Sequence, residues 1–166
     1  MKPRNLIPLQ QWICDGCGNT IESISDGYLE WVDNDKRKAY GFFIFHNRRQ
    51  PGLPTCSHYR ERGLPQKDNS LSVYTGTRGL ASLLTFFDPG PLHDPDYSGP
   101  RVADIREFTE VIRRLMLPYY EEARLYWERA IAEGYFGSPC ETYMYLPDTL
   151  QSLVEKYTNG HRETDT

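Results

Sequence analysis

The chain has 166 residues, of which 39% are hydrophobic and 13% aromatic, and its formal net charge is −4. A chain of this length buries roughly 70% of its unfolded surface, so it can build a core without disulfides. No run approaches the ~20 apolar residues of a membrane span, and no apolar run follows the charged start as it would in a secretory signal. These features predict a cytoplasmic protein with no membrane association.

The charge is distributed unevenly. Residues 1–62 hold nine Lys and Arg against seven Asp and Glu, whereas residues 63–166 hold ten against sixteen. Basic clusters of this kind are usually solvated loop tips, but they can also contact phosphates. The candidate phosphate contacts are Arg48, Arg49, Arg60 and Arg62, with Phe45 and Tyr59 nearby as stacking groups.

The first third predicts short strands. Residues 20–24 alternate apolar and polar side chains, and residues 28–32 and 39–46 are rich in aromatic and β-branched residues. A charged turn at 33–36 joins the last two as an antiparallel hairpin. Residues 47–71 predict a loop too long to be an idle connection in a compact domain, which suggests that a metal ion holds it.

The remainder predicts helices. Apolar residues recur at helical spacing over 77–87, from Pro100 to 116, over 119–131 and over 147–157, with Gly134 as a C-terminal cap. Residues 88–100 hold four prolines and two glycines. They favour a boundary between a β module at 1–88 and a helical segment at 89–166. The predicted fold is α+β: a small antiparallel β zinc-binding module, followed by and packed against three to four helices.

Cysteines and histidines gather in the first third. Cys14 and Cys17 are separated by two residues and followed by Gly18, the spacing at which a tight turn presents two thiolates to one metal ion. A redox pair of the same spacing would open a helix after a strand. Here the chain continues towards a strand, which favours a metal. Cys56 is the expected third ligand.

The fourth ligand has two candidates. Cys56 and His58 are separated by one residue, and so short a spacing strains two bonds to one ion. His46 stands at the end of a predicted strand, ten residues before Cys56, so that the intervening loop could close over the metal. We therefore predict a zinc site of Cys14, Cys17, His46 and Cys56, with His58 as the alternative fourth ligand.

This organisation resembles a zinc-ribbon module, in which a C-x-x-C turn, a short hairpin and a second ligand pair enclose one zinc ion. The resemblance covers residues 12–59 and departs at the second pair, which in ribbons is usually C-x-x-C or C-x-x-H. The pattern W-x-C-x-x-C-G…G-x-x-E-W is also similar to the start of a group of small bacterial proteins. Its residues here are Trp12, Cys14, Cys17, Gly18, Gly27, Glu30 and Trp31.

Three classes of function are compatible with these patterns. The preferred one is an interaction or regulatory module with a structural zinc site and no catalytic residue. The zinc-ribbon resemblance implies nucleic-acid binding as an alternative. A metal-dependent nuclease of the HNH type would use His46-Asn47 and His58, but the proline-rich loop interrupts its hairpin-to-helix geometry. The zinc deaminase signature and phosphate-binding glycine loops are absent from the sequence.

A protein partner or self-association is expected on one predicted helix. Its aromatic surface is larger than one helix needs for packing, and aromatic side chains are enriched at protein interfaces. Core packing is the alternative explanation for the same residues. They are Tyr119, Tyr120, Tyr126 and Trp127.

Overall fold

The computed structural model describes residues 5–47, 56–59, 66–91, 99–138 and 141–159. They form two compact units. The sheet unit comprises residues 11–116, and the helical unit comprises residues 5–10 and 117–159. Two small antiparallel sheets and the accompanying helices confirm the predicted α+β class.

The sheet unit contains a two-stranded and a three-stranded sheet. Strands β1 (Trp12–Ile13) and β2 (Thr20–Ile21) pair antiparallel. Strands β3 (Gly27–Asp33) and β4 (Ala39–His46) form the predicted hairpin, and β5 (Lys67–Ser70) adds to the other edge of β3. Strand β5 lies within the predicted 47–71 loop. Its sequence, Lys-Asp-Asn-Ser, has low strand propensity, so tertiary pairing with β3 decides its conformation.

Strand β3 is covered on both faces, because Tyr28 to Val32 are all buried. Alternate side chains divide the sheet into two faces. We call the face that carries Tyr28, Glu30, Phe43 and Phe45 the loop face, since Tyr28 and Glu30 contact residues 56–59. The opposite helix face carries Leu29, Trp31, Phe42 and Ile44.

Two helices cover the helix face. Helix α1 spans Gly76–Leu84 and α2 spans Ile105–Met116. Phe86, just after α1, lies 5.7 Å from Trp31 between ring centroids, and Phe108 of α2 lies 5.1 Å from Phe42. The start predicted for α2 at Pro100 is wrong. Asp104 accepts hydrogen bonds from the amides of Arg106 and Glu107 and so caps the helix.

The residues before α2 are extended because they attach to the sheet. Ala39 forms a parallel bridge with Val102 and exchanges backbone hydrogen bonds with Arg101 and Ala103. This bridge covers part of the outer edge of β4. The backbone groups of residues 101–103 are satisfied there, so helix formation begins only after them.

The helical unit contains α3 (Tyr120–Ala123), α4 (Trp127–Ala132) and α5 (Pro147–Asn159). A 3-10 turn at Arg124–Tyr126 joins α3 to α4, so the predicted continuous helix over 119–131 is interrupted. Gly134 has φ +65°, which confirms the predicted cap. The core of this unit includes Tyr120, Tyr126, Leu150, Leu153 and Tyr157. A domain boundary near residue 88 stays a prediction; α2 belongs to the sheet unit.

Candidate metal centre

The first two cysteines lie on the turn between β1 and β2. The amide of Cys14 donates to the Asn19 carbonyl, and the amide of Gly18 donates to the Cys14 carbonyl, both at 2.9 Å. Gly18 has φ +70°, a conformation that favours glycine. A Cβ at Gly16 would come within 3.0 Å of the Cys56 Cβ. Geometry therefore requires both glycines of the motif. Gly18 closes the turn, and Gly16 leaves room for Cys56.

His46 is the last residue of β4 and is only 2% exposed. Its Nε2 lies 3.1 Å from the Thr20 carbonyl oxygen, and its Nδ1 lies 3.5 Å from Cys17 Sγ. A carbonyl can only accept, so Nε2 carries the proton in the neutral ring and Nδ1 presents a lone pair to the cysteines. A hydrogen bond from the other ring nitrogen to a carbonyl orients metal-binding histidines in general.

Cys56 begins the short stretch of residues 56–59, which we call the Cys56 segment. Its carbonyl accepts a hydrogen bond from the Tyr28 hydroxyl. The buried carboxylate of Glu30 accepts from Ser57 Oγ at 2.7 Å, from the His58 amide at 2.9 Å and from the Tyr59 amide at 3.1 Å. Among the described residues this segment pairs with no strand, so the carboxylate supplies the acceptors that a ladder would otherwise provide.

The four side chains converge. The Sγ atoms of Cys14, Cys17 and Cys56 and a ring nitrogen of His46 all lie within 4.8 Å of one another. With Zn–S near 2.3 Å and Zn–N near 2.0 Å, ligand atoms at tetrahedral corners stand about 3.5–3.8 Å apart. The Cys17–His46 distance of 3.5 Å already matches this spacing. The four residues lie close enough together to bind a metal ion.

The thiols influence one another in the absence of a cation. Burial, together with the nearby Cys14 and Cys17, raises the pKa of Cys56 to about 12. For Cys17, burial acts in the same direction, but the Asn19 backbone and the thiols of Cys14 and Cys56 donate hydrogen bonds that bring its pKa below the ordinary value. A pocket of this kind favours a single thiolate unless a cation compensates for further negative charge.

A partly buried ion pair fixes the cysteine turn to α2. Arg114 Nη1 lies 2.8 Å from Asp15 Oδ2, and the same oxygen accepts the Ile44 amide at 2.7 Å. Arg114 also donates to the Ile13 carbonyl, and its own carbonyl accepts from Trp12 Nε1. The turn that carries Cys14 and Cys17 is thus connected to both β4 and α2.

The other sequence-predicted residues that the structure describes lie outside this cluster. His58, the alternative fourth ligand, is outside the four-residue cluster, and its ring stacks on Phe43 at a centroid distance of 4.6 Å. The structure places Tyr120 and Tyr126 in the core of the helical unit, with Tyr119 and Trp127 partly buried against it. The candidate phosphate contacts Arg48, Arg49, Arg60 and Arg62 lie outside the described residues.

Two supporting groups were not predicted from the sequence, namely Glu30 and the Asp15–Arg114 pair. The sequence does mark Glu30 as unusual, because it is the one charged residue within the aromatic and apolar run Tyr28-Leu29-Glu30-Trp31-Val32. A charge in such a run is buried with partners or lies on an exposed face. The pairing of Asp15 with Arg114 spans 99 residues and had no local signal.

Among the described residues, no helix is both long and apolar enough to cross a membrane. Comparisons of the chain with protein-family models, with curated proteins and with solved structures give no match.

Proposed function

We propose that the protein is a zinc-binding interaction or regulatory module, in which Cys14, Cys17, His46 and Cys56 hold one structural zinc ion in a zinc-ribbon-like arrangement. The observation that carries the proposal is the convergence of three thiols and one oriented imidazole within 4.8 Å. The two-stranded β1–β2 turn and the β3–β4 hairpin supply the ribbon-like frame.

The donor set favours zinc and a structural role. Thiolates and imidazoles select Zn²⁺ over the hard cations Mg²⁺ and Ca²⁺, which take oxygen ligands. Three cysteines and one histidine fill all four tetrahedral positions, whereas catalytic zinc sites keep one position for water or substrate. Because His46 Nδ1 faces the thiols and Nε2 bonds to the Thr20 carbonyl, neither ring nitrogen is available as a general base. This arrangement argues against a nuclease.

The metal would join three separate parts of the sheet unit: the β1–β2 turn, the end of β4 and the Cys56 segment. Cys56 lies 39 positions after Cys17 in the sequence. Closing so long a loop through a metal removes conformational freedom from the unfolded chain, which stabilises the folded one. We infer that zinc fixes the surface around the Cys56 segment.

A protein partner could contact only part of the aromatic surface predicted at residues 119–127. Tyr120 and Tyr126 are buried in the core of the helical unit. A partner would therefore contact the partly exposed Tyr119 and Trp127 together with Ile131, which is 61% exposed. Ile131→Glu tests this surface: it should abolish self-association or partner capture without unfolding the chain. A wild-type protein that sediments as a strict monomer and captures no partner would contradict this part of the proposal.

Metal content and cobalt spectroscopy test the centre. Wild-type protein purified under reducing conditions should carry about one zinc per chain, and Co²⁺ substitution should give the absorption of a tetrahedral thiolate site. His46→Asn should weaken zinc binding by about 100-fold or more. This exceeds the 10–100-fold loss that is typical when a residue that only positions a metal ligand is changed. His46→Cys should retain zinc, since four-cysteine sites are common.

His58→Asn is the matched control, because it removes a histidine that the structure places outside the cluster. It should leave zinc content and the cobalt spectrum unchanged. Zinc-free wild-type protein, or equal zinc loss in His46→Asn and His58→Asn, would refute the proposed ligand set.

A further inference from the structure

The three thiols of the metal centre differ in their exposure. Cys14 is 1% exposed and Cys56 is 5% exposed, and the imidazole of His46 is also buried. Of the four ligands, Cys17 is the one that is only partly buried. No described residue places an atom within 4 Å of a Cβ added at the adjacent Gly18, so the turn is open on this side. A small reagent in solution therefore reaches Cys17 before the other ligands.

The thiol of Cys14 lies within reach of Cys17. Their Sγ atoms are among the ligand atoms that lie within 4.8 Å of one another, and both residues stand on the β1–β2 turn. The Gly18 amide, which donates to the Cys14 carbonyl at 2.9 Å, closes that turn. A bond between the two sulfur atoms therefore requires movement within one turn of the chain only.

Cys56 is a less favourable partner for Cys17, because contacts outside the turn fix its position. Its carbonyl accepts a hydrogen bond from the Tyr28 hydroxyl. Its Cβ is also so close to the turn that a Cβ added at Gly16 would come within 3.0 Å of it. Since the Cys56 segment has little room to approach the turn further, the geometry favours pairing of Cys17 with the third cysteine, Cys14.

Metal ligation leaves these sulfur atoms reactive. Cysteine binds zinc as the thiolate, and the thiolate is also the form that attacks electrophiles such as peroxides. Oxidation first gives a sulfenic acid, which condenses with a neighbouring thiol to form a disulfide. Susceptibility to this reaction follows exposure, so Cys17 is the site of attack and a neighbouring cysteine resolves the product.

We propose that the metal centre is a peroxide-sensitive switch, in which Cys17 is oxidised and Cys14 resolves it as a disulfide. As a regulation of the zinc site proposed above, the switch rests on that proposal. The Cys17 thiolate attacks one oxygen of hydrogen peroxide, which forms the S–O bond of a sulfenic acid and releases hydroxide. The Cys14 thiolate then attacks the Cys17 sulfur, an S–S bond forms and a second hydroxide leaves. The two thiolates lose two electrons to peroxide, and two protons from solvent convert both hydroxides to water.

The disulfide would divide the ligand set. Cys14 and Cys17 are lost together, and Cys56 and His46 do not complete a tetrahedral site by themselves. Zinc affinity then falls, and the β1–β2 turn is no longer joined to the Cys56 segment. Glu30 still accepts hydrogen bonds from that segment. Peroxide would thus loosen the surface around the Cys56 segment without unfolding the sheet.

Peroxide treatment of the full-length zinc-loaded protein tests the switch. Released zinc is followed with a colorimetric chelator, and differential alkylation with peptide mass spectrometry identifies the cysteines that become protected. A slight excess of hydrogen peroxide should release about one zinc per chain and link Cys14 to Cys17. A phosphine reductant with added zinc should restore the original metal content, because a disulfide is reducible.

Two variants with the same donor set locate the reaction. Cys17→His and Cys56→His each leave two cysteines and two histidines, a set that binds zinc in structural sites. Cys17→His removes the accessible thiol, so peroxide should release its zinc about ten-fold more slowly than in wild type, or slower still. Cys56→His keeps both reacting thiols and should release zinc at a rate within about three-fold of wild type.

Failure of the switch is distinguishable from failure of the zinc site. Wild-type protein that carries no zinc would refute the site itself. Zinc-loaded wild type that keeps its metal and both thiols under peroxide would overturn the switch alone. A disulfide between Cys17 and Cys56, or equally fast release from Cys17→His and Cys56→His, would overturn the assignment of the reacting pair. The wild-type disulfide map decides the pairing even where a variant does not retain zinc.

Discussion

Both units of the molecule bury glutamate side chains, and Glu30 of the sheet unit differs from Glu122 of the helical unit in its hydrogen bonds. In the sheet unit, Glu30 is 0% exposed and its carboxylate accepts hydrogen bonds from Ser57, His58 and Tyr59. In the helical unit, Glu122 is 4% exposed, and its Oε1 has no hydrogen-bond partner among the described residues. Burial raises the pKa of Glu122 to about 7, against an ordinary value of 4.5, while a hydrogen bond from the Leu6 backbone opposes the shift.

The difference shows when a buried carboxylate stabilises a fold. Burying a charge is costly unless hydrogen bonds replace its hydration. Glu30 meets that condition because the Cys56 segment has amides and a hydroxyl that need acceptors. Glu122 does not meet it at Oε1, so its ionised form destabilises the folded state. We therefore expect opposite effects when the two charges are removed.

The largest expected effect comes from zinc removal, which tests whether Glu30 alone can hold the Cys56 segment. Under reducing conditions, a strong chelator should lower the free energy of unfolding by about 5 kcal/mol or more, a fraction of the apparent zinc-binding energy of small zinc domains. Hydrogen exchange should show the His58 and Tyr59 amides losing their protection, whereas the amides paired between β3 and β4 lose less. Equal protection of the Cys56 segment with and without zinc would mean that the carboxylate suffices.

Glu30→Gln should have the next largest effect on the free energy of unfolding. The amide places two N–H donors against groups that already donate, so the variant loses charge-assisted hydrogen bonds and leaves donors unsatisfied. The expected cost is about 2–4 kcal/mol in urea unfolding. Zinc affinity should fall about 10–100-fold, the range for losing a contact that positions a metal ligand. Glu22→Gln, the same change at an exposed residue of the sheet unit, is the control and should cost less than about 0.5 kcal/mol. If Glu30→Gln leaves the free energy of unfolding unchanged, the proposed difference between Glu30 and Glu122 is wrong.

Glu122→Gln should stabilise the protein, and only at higher pH. An acid whose folded-state pKa lies above its unfolded value holds its proton more tightly in the folded state. The cost of its ionisation is therefore absent well below pH 4.5, and this cost grows until the pH reaches about 7. The variant should gain up to about 3 kcal/mol at pH 8 and nothing at pH 4. Unfolding at both pH values, beside exposed Glu128→Gln, measures the difference; a gain independent of pH would contradict this explanation.

Much of the metal centre could be predicted from the sequence because its signals are local. The two-residue spacing of Cys14 and Cys17, and the position of His46 at the end of a recognisable strand, each follow from neighbouring residues. The argument against His58 was also local, since one intervening residue strains two bonds to one ion. The structure gathers the same four residues, although the identity of the metal remains a proposal.

The supporting contacts could not be predicted, since they depend on tertiary pairing. Strand β5 forms only because β3 offers it an edge, and α2 begins at Ile105 only because residues 101–103 attach to Ala39. Sequence periodicity does not report such long-range constraints. The same holds for Glu30, whose role is defined by amides about 28 residues away.

The smallest predicted effect concerns packing of the Cys56 segment on the loop face. Strand β4 bulges opposite Trp31, and Gly41 in the bulge has φ +66°. The Tyr59 hydroxyl donates to the Gly41 carbonyl at 2.9 Å, so closely that a Cβ at Gly41 would overlap the hydroxyl oxygen. Gly41→Ala must therefore displace Tyr59 as well as strain the backbone, and should cost about 2–3 kcal/mol.

Gly76→Ala separates these two contributions, because Gly76 has φ +64° and no described residue places an atom within 4 Å of an added Cβ. It should cost only the backbone strain, about 1 kcal/mol. The excess cost of Gly41→Ala, measured by urea unfolding, should shrink in a Tyr59→Phe background, where the overlapping hydroxyl is gone. If the excess persists unchanged, Tyr59 does not anchor the segment at Gly41. The attachment of the Cys56 segment to the sheet would then depend on zinc and Glu30 alone. In that case the Glu30 carboxylate would contribute more to this attachment than its three hydrogen bonds alone indicate.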